Sequence, residues 1–165
     1  MKIKELKEWL ELGWDKKLAK KWVKAGWDSP AIARAWYILG WNDARYSYLF
    51  YNAGWSRTSI IAALEWFKAG WKEYPKDACC YYMAGWDDPV EAKKWFNSGW
   101  TRRDKRVNDI IRTDKEVATT ALKWYEQGWD DPVEAYIYKF FKRYDYPVKR
   151  DRILENQNGG NKNEV

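Results

Sequence analysis

One six-residue figure constrains this chain more than anything else in it. Trp95-Phe96-Asn97-Ser98-Gly99-Trp100 reads as an aromatic residue, three others, a glycine and a tryptophan. The Gly-Trp step recurs at Gly13, Gly26, Gly40, Gly54, Gly70, Gly85, Gly99 and Gly128. Four residues before these glycines stand Trp9, Trp22, Trp36, Phe50, Trp66, Tyr81, Trp95 and Trp124, all aromatic. The figure consumes all 14 tryptophans, eight after a glycine and six before one. Physically it is a helix stop. A glycine just past a helix takes the left-handed conformation, and the residue after it folds back onto the residue five before it. At Gly99 those two residues are Trp100 and Trp95, so Trp95, Gly99 and Trp100 form a structural clasp. Strict periodicity places the tryptophans in core and clasp, not on a ligand-stacking surface.

Successive stop glycines lie 13, 14, 14, 16, 15, 14 and 29 residues apart. A 14-residue unit holds one short helix and a tight turn, and such a helix is marginal alone in water. It must pack on its neighbours, and short connections favour antiparallel ones. The last gap is about double the rest, so it hides a boundary, which the capping-box sequence Thr113-Asp114-Lys115-Glu116 marks. Helix starts are written as Ser29-Pro30, Asp88-Pro89-Val90-Glu91 and Asp131-Pro132-Val133-Glu134. The paired carboxylates Asp87-Asp88 and Asp130-Asp131 are explained by capping and need no catalytic role. Seven residues before the glycines the side chains are mostly small, Ala19, Ala33, Ser47, Ala63, Ala78, Ala92 and Ala121 among them. Three before stand Leu10, Val23, Tyr37, Tyr51, Phe67, Tyr82, Phe96 and Tyr125, which extend one apolar face at helical spacing.

The fold expected is all-α, a single domain over residues 1–155 followed by a flexible tail over 156–165. Ten short antiparallel helices are expected at 3–12, 16–25, 30–39, 44–53, 58–69, 75–84, 89–98, 102–111, 114–127 and 132–144. The last is expected to lose the Gly-Trp stop and to end the stack, with a short turn possible within Arg150–Glu155. Over residues 3 to 144 the arrangement resembles the α-solenoid class of helical-repeat proteins. The unit is shorter than a tetratricopeptide or HEAT unit and lacks their consensus residues.

The chain has no histidine, which removes His-based acid–base catalysis and most zinc sites. The two cysteines, Cys79 and Cys80, are sequence neighbours and make no disulfide framework. No glycine-rich phosphate loop occurs, the N-terminus lacks a signal-peptide core, and no apolar run reaches membrane-span length. The expectation is a cytoplasmic protein that is not an enzyme and carries no metal or cofactor.

The remaining signal is charge, +6 overall. If helices alternate between two layers, the even-numbered segments carry +7 and the odd-numbered ones −1, with the largest shares in 15–25 (+4) and 101–112 (+3). Lys16, Lys17, Lys20, Lys21 and Lys24 crowd the second helix; Arg102, Arg103, Lys105, Arg106 and Arg112 crowd the eighth. Arg45, Tyr46 and Tyr48 offer a cation beside aromatics on the fourth, and Tyr136, Tyr138, Tyr144 and Tyr146 stand near the C-terminal end. Arginine and tyrosine are favoured at protein interfaces. The function expected is a binding module, an adaptor or stoichiometric inhibitor that docks on a protein with an acidic surface. The alternative is nucleic-acid binding through the even-numbered helices.

Overall fold

The computed structural model describes residues 3–55 and 59–144, with side chains from residue 6 onward. The expected turn at 150–155 and the tail at 156–165 lie outside the described residues, as does the first residue of the fifth expected helix. Among the described residues there are ten helices and no strand. They are α1 (Ile3–Glu11), α2 (Lys16–Lys24), α3 (Pro30–Ile38), α4 (Ala44–Asn52), α5 (Ile60–Trp66), α6 (Pro75–Ala84), α7 (Pro89–Asn97), α8 (Lys105–Ile110), α9 (Asp114–Glu126) and α10 (Pro132–Tyr136). α5 and α10 run on into π-type turns, Phe67–Trp71 and Ile137–Phe141.

The starts are capped as their residues dictate. Asp88 and Asp131 each accept two backbone N–H groups, and Ser29 and Thr113 each accept one. Asp15, Asp43 and Asp104 do the same without a following proline to flag them. One such cap is worth about 1 kcal/mol.

The stops follow the Schellman pattern. Trp100 N–H donates to the Trp95 carbonyl at 3.3 Å, and Gly99 N–H donates to the Phe96 carbonyl at 3.2 Å, with Gly99 at φ 103°. The same pair of bonds recurs at the stops of α1, α2, α3, α4, α6 and α9. The π-type turn ending at Trp71 is this stop again: Gly70 within it has φ 104°, and a Schellman bond spans the five residues that define π geometry. The clasp rings meet at every stop, from 4.9 Å between Trp9 and Trp14 to 5.9 Å between Phe50 and Trp55. Trp27, Trp71, Trp86 and Trp129 are all buried.

The last helix lacks the Gly-Trp step, as expected, and is closed by a variant of the stop. Arg143 takes the glycine position at φ 55° and Tyr144 the tryptophan position, its ring 5.7 Å from Tyr138. Four residues separate Tyr138 from Arg143 instead of three, and the π-type turn absorbs the extra one. Tyr144 N–H donates to the Tyr138 carbonyl at 3.2 Å.

The chain divides into two compact units, Met1–Cys79 and Cys80–Val165, the division falling within α6. In the first, the stops of α1 to α4 each hold the start of the next helix but one. The indole N–H of Trp14 donates to Pro30 O of α3, that of Trp27 to Ala44 O of α4, that of Trp41 to Ile60 O of α5, and that of Trp55 to Pro75 O of α6. Two of the residues three before the glycines pack on these tryptophans from the next helix but one, Tyr37 tilted against Trp14 at 5.5 Å and Tyr51 stacked on Trp27 at 5.0 Å. Leu10 and Tyr37 remain about 40% exposed, so the apolar face is narrower than the periodicity suggests. Ala19, Ala33, Ser47 and Ala63 are fully buried, as their small size implies.

In the second unit the indole bonds skip α8, that of Trp86 reaching the fifth residue of α9 and that of Trp100 the first of α10. The Trp86 indole donates to Ala118 O of α9 at 3.0 Å, and the Trp100 indole to Pro132 O of α10 at 2.9 Å. Tyr125 of α9 stacks on Trp86 at 5.2 Å. Thus α9 neighbours α6 and α10 neighbours α7, and α8 is an insertion in the alternation. The even–odd layering read from sequence therefore fails within the second unit, where α8 stands outside the alternation.

Candidate functional site

α8 is only six residues long and begins at Lys105, three residues later than expected. Asp104 is the reason: its Oδ1 accepts the N–H of Arg106 at 3.0 Å and of Val107 at 3.1 Å, fixing the helix start. Arg102 and Arg103 fall in the preceding turn, so Arg103 and Arg106 do not share a helical side. Arg102 Nε donates to Asn108 Oδ1 at 3.0 Å. Val107 and Ile111 are buried and moor the insertion.

The outer side of α8 faces the end of α10 across a cleft of about 640 Å³. Lys105, Arg106, Asp109 and Ile110 line it from α8, and Tyr136, Phe140, Phe141 and Arg143 from α10 and its stop. The Arg106 guanidinium lies 3.7 Å from the Phe141 ring centroid, a cation–π contact. Tyr136 ties three elements together. Its hydroxyl donates to Asp104 Oδ1 at 2.8 Å, and its ring covers the α7 stop, where a Cβ on Gly99 would approach Cε2 to 3.1 Å. Partial burial, then the bond to Asp104 and the charge of that carboxylate, push the Tyr136 phenol up to about 12; Arg106 works in the opposite direction. The phenol is a fixed neutral donor and the cleft a pre-formed surface. Phe141 and Ile110 remain exposed in it, at 55% and 50%. Of the expected arginine cluster, the cleft gathers Lys105 and Arg106 and leaves out Arg102 and Arg103. Sequence reasoning missed Phe141, Asp104 and Tyr136 as members. The available signal was that α8 and the helix carrying Phe141 are the two whose ends lack the Gly-Trp figure.

The second basic cluster lies in the first unit. Lys17, Lys20, Lys21 and Lys24 line one depression of about 530 Å³ on α2, and Lys21, Lys24 and Arg45 line another of about 410 Å³ between α2 and α4. The tyrosines of α4 are committed elsewhere. Tyr48 packs against Gly26 and, at 5.8 Å, against Trp27; Tyr46 lies 5.4 Å from Phe67 and donates its hydroxyl to Glu73 at 3.1 Å.

Cys79 and Cys80 are half-buried, and burial pushes the Cys79 thiol up, away from the reactive thiolate. Among the described residues no group of three acidic or cysteine side chains could hold a metal ion, and no helix is long and apolar enough to cross a membrane. The chain matches no family model, no curated protein and no solved structure.

Proposed function

We propose that this chain is a non-enzymatic helical-repeat protein of α-solenoid-like build. It docks on a protein partner through the α8–α10 cleft, as an adaptor or stoichiometric inhibitor. The observation that carries the reading is the insertion itself. α8 is the helix that the stop-to-start bonds pass over, and its outer side puts Lys105 and Arg106 beside exposed Phe141 and Ile110. An exposed aromatic, an aliphatic and an arginine around a preformed cleft have the composition of an interface centre. The cations select a partner surface that presents carboxylates next to an apolar side chain.

Affinity capture with and without nuclease identifies the partner, and titration of parent and variants then tests the site. Lys105→Glu with Arg106→Glu should leave helicity intact and weaken binding tenfold or more, about 1.4 kcal/mol. Arg102→Glu should matter much less, since Arg102 is turned to Asn108. Unchanged affinity in the folded double variant would remove the cleft from the interface.

A further inference from the structure

We infer that the basic stripe of α2, with Arg45 of α4, is a second binding site, for the phosphate backbone of a double-helical nucleic acid. It lies in the other unit from the α8–α10 cleft and is independent of it. Lys17, Lys20, Lys21 and Lys24 stand at offsets of three, four and seven residues along α2, which puts them on one side of the helix. The stripe spans about 10 Å. Its two depressions share Lys21 and Lys24, so the surface continues from α2 to Arg45 without a break. Among the described residues none of these five cations is in an ion pair. The acidic residues lining the surface, Asp15 and Asp43, have Oδ1 turned to backbone N–H groups as N-caps.

The residue types select the ligand. Lysine is a hydrated point charge on a flexible stem, is depleted at protein interfaces, and lacks the planar fork that grips a carboxylate. A row of lysines with no exposed aromatic among them differs in kind from the α8–α10 cleft. It suits a continuous line of charge, and duplex DNA offers about one phosphate charge per 1.7 Å of axis. Single strands are bound through aromatic platforms. The nearby candidates, Tyr46 and Tyr48, are occupied by Phe67 and Glu73, and by Gly26 and Trp27. Binding therefore reads charge and not sequence.

The test is anisotropy of a labelled duplex of about 20 base pairs, titrated with the full chain from about 50 to 300 mM salt. Binding should be measurable at the low end and fall with a log–log slope of about −3 to −5. Lys17→Gln with Lys21→Gln and Lys24→Gln should reduce the slope by about 2–3 and weaken binding at least tenfold, with an unchanged far-ultraviolet circular dichroism spectrum. Arg45→Gln, on a different helix, should reduce the slope by about 1, and Lys105→Gln with Arg106→Gln should leave it unchanged. Absence of duplex binding at low salt, or a triple variant with the parent's slope, would overturn the inference. So would poly-glutamate competing as well as duplex per unit charge, which would make the partner an acidic protein. Tighter binding of the single strand would overturn the choice of duplex.

Discussion

Each stop uses two aromatic residues, and they differ in what their polar atoms do. The tryptophan after the glycine donates its indole N–H to a carbonyl, as Trp27 does to Ala44 at 3.1 Å. At four stops the tryptophan before it does not: the indole nitrogens of Trp22, Trp36, Trp95 and Trp124 are buried without a hydrogen-bond partner. At the six stops where that bond forms it calls for tryptophan after the glycine, while the position before the glycine admits Phe50 and Tyr81. The identity of the clasp was legible in the spacing. The reason for its asymmetry was not, because the accepting carbonyl lies 17 residues away. Trp22→Phe and Trp27→Phe remove the same atoms from adjacent buried sites. Trp27→Phe should cost more by about 1–3 kcal/mol, read from urea unfolding, since it loses a bond while Trp22→Phe removes an unpaired donor. Equal costs would show that the indole bond does not set the pattern. At the last stop Arg143 occupies a left-handed position that glycine takes without strain. Arg143→Gly should raise stability by about 1 kcal/mol; a lower melting temperature would show that the arginine's own contacts in the cleft outweigh the backbone strain.

At the scale of elements, the stops are not equivalent, because each is covered by a different neighbour. A Cβ at Gly99 meets Tyr136 at 3.1 Å, whereas one at Gly128 meets nothing within 4 Å. Both sites pay the left-handed penalty of about 1–2 kcal/mol on substitution by alanine. Gly99→Ala should cost visibly more, and should also disturb α10, where Tyr136 is displaced; equal melting temperatures for the two variants would contradict the contact. Tyr136 brings a pH dependence too. Its phenol is raised from 10.0 to about 12 in the folded chain, so its stabilising contribution is complete below pH 10 and is lost as pH rises toward 12. Tyr136→Phe should flatten the decline in stability over that window relative to the parent, and parallel declines would show that the bond to Asp104 is not formed in solution. The helix starts flagged by proline were readable in advance. The start of α8 was not: Asp104 caps it with no following proline to flag it, and that cap moves Arg102 and Arg103 out of the helix where sequence spacing had put them.

At the scale of the molecule, a single local device sets the helix order within each unit. The tryptophan that ends one helix binds the next but one in the first unit, and in the second the next but one once α8 is passed over, so the stop and the stacking contact are the same residue. The sequence carried the period, the number of helices and the all-helical class. It did not carry the register after α7, because the 29-residue gap is equally compatible with α8 inside or outside the alternation. Bonds from Trp86 to α9 and from Trp100 to α10 place it outside. The basic residues of α8 thereby leave the layer that charge bookkeeping gave them and border a cleft of their own.

Deletion of residues 102–112 tests that register most directly. It joins Thr101 to the N-cap Thr113, leaving Gly99-Trp100-Thr101-Thr113-Asp114, the same spacing from stop to helix start as Gly85-Trp86-Asp87-Asp88-Pro89. The shortened chain should fold, with α6 still bound to α9 and α7 to α10. It should unfold cooperatively, with the near-ultraviolet circular dichroism of its packed tryptophans retained. The loss of buried Val107 and Ile111 should cost about 2–5 kcal/mol, and docking through the cleft should be lost. A chain that keeps helical signal but loses tryptophan ellipticity and cooperative unfolding would contradict the register, because it would make α8 an obligate member of the stack.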